Sequence, residues 1–246
     1  MRQTHRRGQR LEYGILLLAV QAINYGIDKI PPVTLTAVIG QALLYTGVVQ
    51  TPWKAEDVCI SSVKVLKYHD WRSFLLSNFE HGSDMHLYYN MVSLILKGSS
   101  LESKYGTSNF LLLLSVLCIT CSGMYVALGY GLMHLTGDYG YYTACAIGFS
   151  AVLFALKVIG VSEERDGIHD VGGFKVPSKI AVWVELILIH ILVPNASFVG
   201  HLGGILTGCL YCYTYFGSII DRMISKATGK YLIHGEEFYR RRGYFF

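Results

Sequence analysis

The run FLLLLSVLCITCSGMYVALGY, Phe110 to Tyr130, carries no charged residue. A helix needs about 20 mostly apolar residues to cross the hydrocarbon core of a bilayer, so this stretch reads as a membrane span. Five further runs share its character: Val33–Val49, Met85–Leu96, Ile147–Ile159, Ile180–Val193 and Phe198–Phe216. Several are short or glycine-rich and need protein neighbours around them instead of lipid. The whole chain of 246 residues agrees, with 52% hydrophobic residues and only 15% charged ones, against about 25% charged in ordinary soluble domains. A disordered chain is excluded, because disorder requires low hydrophobicity and high charge. A soluble nucleic-acid binder is excluded too. The net charge is only +4, and the basic residues flank apolar runs instead of forming one patch. The expected architecture is an all-α membrane protein with six transmembrane helices. Its membrane domain covers residues 31–216, between an N-terminal segment of residues 1–30 and a short basic tail of residues 217–246.

Lysine and arginine set the orientation, since they accumulate in cytosolic loops. With the N-terminus in the cytosol, five fall before Pro31, two at Lys97 and Lys104, four between Lys157 and Lys179, and six from Arg222 to Arg242. That places seventeen of the 21 on the cytosolic side. Both termini are therefore expected there. The apolar stretch Leu11–Ile27 follows four arginines, contains Gln21 and Asn24, and is followed directly by Asp28. It lacks a convincing signal-cleavage site. It reads as an interfacial helix or an extension of the first span, with a seventh span as the alternative. Of six cysteines, Cys118, Cys121, Cys209 and Cys212 lie inside apolar runs and Cys59 in a polar loop. They suggest unpaired thiols and no disulfide framework. No metal-ligand spacing occurs, and no cofactor is expected.

In this topology the second, fourth and sixth spans all enter from the non-cytosolic face. Near their starts lie His86 and Asn90, Gly148 and Ser150, and His201. Polar side chains inside a membrane face the protein interior and mark function. His86 and Asn90 are four apart and share a helix face. Gly200, Gly204 and Gly208 form a smooth stripe on the sixth span, matched by Ala151 and Ala155 on the fourth, and small residues at this spacing let helices approach closely. Such an approach would carry His201 to Ser150. A serine hydroxyl is a weak nucleophile until a base removes its proton, and a tetrahedral intermediate needs donors where its charge develops. Ser150 would attack, His201 would serve as base and then acid, and the backbone at Gly148–Ser150 with His86 and Asn90 would hold the oxyanion. No carboxylate is placed to orient His201, whose ring would stack on Phe154. His190 is the rival base. Each element alone has a plainer reading as packing or as a satisfied interior histidine. Their joint occurrence at one depth carries the assignment. A small transporter is the rival without chemistry, but such folds show internal repeats and none is found.

These residues resemble the rhomboid family of intramembrane serine proteases. The resemblance covers roughly Pro31 to Phe216. It rests on Trp71–Arg72, the H-x-x-x-N of His86–Asn90, the G-x-S-x of Gly148–Ala151 and the G-H-x-x-G of Gly200–Gly204. It implies a six-helix rhomboid bundle, Ser150 as nucleophile and His201 as base. It also implies an oxyanion hole of His86, Asn90 and the Ser150 amide, with His81 as a further histidine beside the site. Trp71 and Arg72 would belong to a loop in the membrane interface. Glu102 matches the family's acidic residue after the second span, with Lys104 where the usual partner is Arg. Phe154 stands where many members have Tyr. The stretches G-F-S-A-V-L-F-A-L-K-V and V-P-x-x-x-A-x-W-V-E-L are similar to the endoplasmic-reticulum branch of the family, whose members degrade unstable membrane proteins. The implied partners are membrane-protein substrates and the lipid bilayer, with no nucleic acid. Ubiquitin binding through the tail is not supported, because no ubiquitin-interacting pattern is present. A client-binding rhomboid-fold protein without catalysis, as in derlin-like members, is the alternative. Glu185 lies in the middle of the fifth span with no partner legible in sequence, and the sequon Asn195–Ser197 sits in a very short loop.

Overall fold

The computed structural model describes residues 13–163, 167–171 and 173–230. The arginines of residues 1–10, Arg165 and the terminal R-R-R-G-Y-F-F lie outside the described residues. The chain runs α1 (Tyr13–Tyr25), a 3-10 turn (Ile27–Lys29), α2 (Pro32–Thr46), α3 (Ser62–Leu66), α4 (Trp71–Leu76), α5 (Asp84–Tyr105), α6 (Thr107–Thr136) and α7 (Gly140–Thr143). It continues through α8 (Ser150–Glu163), the hairpin β1 (Ile168–Val171) and β2 (Phe174–Pro177), α9 (Ser178–Leu192), α10 (Phe198–Tyr213) and α11 (Tyr215–Thr228). Each of the six expected spans is a helix: α2, α5, α6, α8, α9 and α10. Among the described residues only α6 is by itself long and apolar enough to cross a bilayer. The others rely on one another. Leu87, Met91, Leu94, Phe110, Leu113, Leu117, Val152, Leu156 and Ile205 form the centre of one continuous core, each at most 1% exposed.

Helix α5 extends nine residues beyond its apolar run because its polar residues find partners. Lys97 donates to Glu185 Oε1 of α9 at 2.7 Å, and Lys157 of α8 stands 3.5 Å from Glu185 Oε2. Glu185 thus has two cations beside it, and the cost of a carboxylate at membrane depth falls when it is paired. Lys97 and Lys157 are helix residues here and not loop charges. Glu102 caps α2. Its carboxylate accepts the Val33 and Thr34 amides at 2.9 and 2.8 Å and the Thr34 hydroxyl at 2.8 Å. A helix N-terminus has four unpaired N–H groups and a positive dipole end, so a buried carboxylate suits it. Lys104 does not serve Glu102. It pairs with Glu163, which also accepts the Tyr105 hydroxyl.

Helix α1 packs along α5 with the two starts together: the Gly14 amide donates to Asp84 Oδ2 at 3.1 Å, and a Cβ on Gly14 would lie 2.6 Å from the Asp84 carbonyl carbon. The chain then turns at residues 26–31 and enters α2 beside Glu102, at the opposite end of α5. Tyr13 therefore sits at the His86 end of the bundle, and the turn separates α1 from α2 so that the first span does not continue into it. The apolar residues Ile15, Leu18, Ala22 and Tyr25 recur at helical spacing and face the core.

The expectation of unpaired cysteines also fails at one place. Cys59 and Cys145 form a disulfide, while the four cysteines of the spans are free. Both partners lie outside the membrane helices at the same end of the bundle. Beside them Ile60 and Ala146 exchange two backbone hydrogen bonds of 2.8 and 2.9 Å.

The Glu102 cap is testable. Glu102→Ala leaves two amides and a hydroxyl without their acceptor in a buried setting, at a cost of about 2–3 kcal/mol. The melting temperature of the detergent-solubilised protein is expected to fall by several degrees, and Glu102→Gln is expected to recover only part of the loss. A melting temperature equal to wild type for Glu102→Ala would refute the cap.

Candidate active site

Helix α8 opens at Ser150 and α10 carries His201 in its first turn, three residues into the helix. Ser197 caps α10, its hydroxyl accepting the Gly200 amide at 3.1 Å. The two helices cross at Gly204. A Cβ there would stand 2.8 Å from the Ala151 carbonyl carbon and 2.9 Å from its Cα. At Gly208, a Cβ would meet Val158 Cβ at 2.6 Å. The small-residue stripe is thus the surface on which α10 meets α8. Gly203 points elsewhere, toward Tyr125 and Leu128 of α6 at 3.6 Å.

This crossing brings His201 Nε2 to 3.0 Å from Ser150 Oγ. His201 is buried, and no carboxylate accepts from its Nδ1 among the described residues. Two rings fix it instead. Phe154, one turn into α8, lies 4.9 Å from it at 38°, and His190 of α9 lies 5.1 Å away at 72°. His190 Nδ1 donates to the Leu186 carbonyl at 2.8 Å, so His190 braces the dyad edge-on and does not bond to Ser150. A neutral His201 bearing its proton on Nδ1 presents a lone pair at Nε2 to the serine hydroxyl, the geometry of a general base.

His86 lies against the turn before Ser150: a Cβ on Gly148 would fall 2.6 Å from His86 Cε1 and 2.7 Å from Nε2. Gly148 has φ +120°, a conformation only glycine adopts readily. Glycine is required there both for the turn and for the imidazole's approach. The Gly148 amide, however, donates to the Ser77 carbonyl at 2.9 Å. Gly148 is therefore not an oxyanion donor, and its place in that set is corrected to a steric one. The Ser150 amide heads the first turn of α8, ahead of any intrahelical acceptor, and is the backbone donor available. Asn90 is 5% exposed, and its Nδ2 donates to the His86 carbonyl at 2.7 Å. One of its two amide hydrogens is thus engaged within α5.

His81 lies just before α5 with its ring 5.1 Å from His86. Burial, aided by His86, lowers its pKa to about 3. Among the described residues no cluster of three or more His, Cys, Asp or Glu side chains is placed to hold a metal. Sequence reasoning missed the bracing role of His190 and the pairing of Cys145 with Cys59. The signal for the second was available, since both cysteines lie in loops on the same side of the six-span topology. Trp71 begins α4, capped by Asp70, and is 60% exposed.

Comparison with known proteins gives a concordant picture. The Rhomboid domain family model matches residues 68–218. Rhomboid-related protein 4 of Rattus norvegicus is 38% identical over 217 residues, covering 88% of this chain and 67% of the relative. The Homo sapiens protein of the same name is 34% identical over 234 residues, covering 95% and 73%. Rhomboid-like protein 14, mitochondrial, of Arabidopsis thaliana is 39% identical over 211 residues, covering 83% and 63%.

Two outcomes follow from the geometry. Gly204→Ala forces α10 away from Ala151, and a displacement of about 1 Å at a catalytic group costs roughly 10²-fold in rate. Gly204→Ala is expected to lower both activity and melting temperature, while Gly203→Ala, where a Cβ finds ordinary contact distances, stays near wild type in both. Equal tolerance would show that the stripe does not set the crossing. The second outcome concerns His81. Its folded pKa lies below the ordinary value of about 6.5, so the unfolded chain binds more protons between pH 6.5 and 3, and stability falls as the pH is lowered through that window. The loss from one group approaches about 1.4 kcal/mol per pH unit. His81→Gln is expected to flatten the acid limb of a melting-temperature profile by this one-proton slope. An unchanged limb would mean that His81 titrates normally.

Proposed function

The chain belongs to the rhomboid family, and we propose that it is an intramembrane serine endopeptidase acting on the transmembrane or membrane-proximal segments of other membrane proteins. The observation that carries this reading is the 3.0 Å contact between His201 Nε2 and Ser150 Oγ, in a buried setting built by helix packing. His201 takes the hydroxyl proton as Ser150 Oγ attacks the scissile carbonyl. The Ser150 amide, His86 and the second amide hydrogen of Asn90 stabilise the oxyanion. His201 then returns its proton to the leaving amine, and a water deacylates Ser150 by the same steps in reverse roles. Phe154 and His190 hold the imidazole in line, a task that a carboxylate performs in soluble triads.

The compartment we assign is the endoplasmic-reticulum membrane, with the Ser150 end on the luminal side and α11 at the cytosolic side. The Cys59–Cys145 disulfide supports an oxidising environment at that end. Turnover of unstable membrane proteins is the proposed process, by the kinship of the sequence stretches around Ser150 and Glu185.

The test is cleavage of a model single-span membrane substrate by purified enzyme in liposomes. Ser150→Ala and His201→Ala are each expected to lower turnover by roughly 10³-fold or more. The double variant is expected to be no worse than either, because groups that act as one unit are non-additive. Multiplicative losses in the double variant, or a Ser150→Ala protein that still cleaves, would contradict the assignment.

A further inference from the structure

The first loop and the loop entering α8 are stitched together outside the membrane helices. Cys59 bonds to Cys145. The adjacent residues Ile60 and Ala146 pair by two backbone hydrogen bonds. Two residues further on, the Gly148 amide is held by Ser77, and Ser150 begins α8. Cys145 is thus five residues from the proposed nucleophile, on the segment that presses Gly148 against His86. The bridge has two features that a purely structural disulfide does not need. Cys145 is an exposed residue and Cys59 is half-buried, so the bridge lies at the surface of the protein. On the Cys59 side, the Lys64 ammonium stands 3.4 Å from Sγ and donates to the carbonyls of Asp57 and Cys59 at 3.1 Å and of Glu56 at 3.4 Å. A cation fixed beside a sulfur stabilises its thiolate, and a stabilised thiolate is the better leaving group in exchange.

We propose that Cys59–Cys145 is a reversible redox site that governs the Ser150 centre, and that its reaction partner is a dithiol oxidoreductase acting from the non-cytosolic side. The inference rests on the reading of Ser150 as nucleophile. A thiolate of the dithiol attacks Cys145 Sγ. The S–S bond breaks and its electron pair leaves on Cys59 Sγ beside Lys64. The second thiol of the partner then attacks the mixed disulfide and releases Cys145 as thiolate. Two electrons pass to the protein, its two thiolates take up the two protons lost by the partner, and the partner leaves as a disulfide. In the oxidised state the bridge holds residues 145–148 in place, so the turn before Ser150 stays pressed on His86 and the oxyanion side is formed. In the reduced state the Ile60–Ala146 pairing, the Gly148–Ser77 bond and the Tyr125 hydroxyl on the Ala144 carbonyl at 3.0 Å still touch that segment, but its covalent tie to the first loop is gone. The α8–α10 contact at Gly204 is untouched, so Ser150 and His201 remain paired while the turn loosens. Reduction therefore lowers turnover without unfolding the protein, and reoxidation restores it.

The experiment uses the full chain in liposomes, equilibrated with mixtures of reduced and oxidised dithiothreitol. At each mixture three quantities are read: the fraction of Cys59 and Cys145 open to alkylation, by peptide mass mapping; cleavage of a model membrane substrate; and labelling of Ser150 by a fluorophosphonate. The expected result is that both thiols appear together and that kcat falls at least roughly tenfold in step with them. Ser150 labelling should persist, and all three readouts should return on reoxidation. Lys64→Met is expected to keep the oxidised activity and melting temperature while slowing the reduction rate by roughly threefold or more. The Cys59→Ser/Cys145→Ser protein is expected to show the low, redox-insensitive turnover. If that variant fails to fold, the titration of the wild type decides alone. Turnover unchanged when both thiols are free would overturn the proposal, as would a bridge that resists the dithiol in the folded protein. Absence of cleavage and of labelling at every mixture would instead overturn the nucleophile reading, and this inference with it.

Discussion

Gly204 has no side chain, and the site is built on that fact. Helix α10 lies so close to α8 there that any Cβ would press into the backbone of Ala151. One turn earlier on the same face, this approach sets His201 against Ser150. Helices of 15 or 16 residues that cannot span a bilayer alone gain their stability from such packing, because lipid offers apolar chains no advantage over water-free protein contacts. The interface that holds the bundle together also sets the reacting distance. The imidazole is then held between the rings of Phe154 and His190, so its orientation comes from packing.

The far end of the bundle is arranged by charge. Glu102 caps α2, Glu185 sits between Lys97 and Lys157, and Lys104 and Tyr105 meet Glu163. Each carboxylate joins at least two elements. These links let α5 run on past its apolar stretch, and they tie α9 to α5 and α8. Helix α9 presents Ile187, Ile191 and Leu192 outward, while its inner face supplies Glu185 to the charged cluster and His190 to the dyad.

The six spans were legible because the signal is apolar run length, which a bilayer imposes on each helix separately. Ser150, His201 and His86 were legible because polar residues stand out in apolar runs, and topology fixes their depth. The Gly204–Ala151 contact was legible as a spacing of small residues. What sequence could not supply depends on partners far along the chain. Glu185 had no nameable partner until α5 and α8 placed Lys97 and Lys157 beside it. The Gly148 amide was assigned to the oxyanion because its acceptor, the Ser77 carbonyl, lies in a loop without periodicity. The packing of helix α1 along α5 rests on core-facing side chains that recur every three or four residues, a pattern that the polar Gln21 and Asn24 between them obscure in the sequence. Cys145 was overlooked for its position at the edge of an apolar run.

The proposed protease activity depends on His201 making Ser150 nucleophilic through the contact that Gly204 permits. The most direct measurement is the second-order rate at which a fluorophosphonate modifies Ser150, located by peptide mass mapping, in wild type and in His201→Gln. A single adduct on Ser150 is expected in wild type, and a rate at least roughly 10²-fold slower in His201→Gln, with the melting temperature preserved. Equal rates in the two proteins, or an adduct on any other residue, would contradict it.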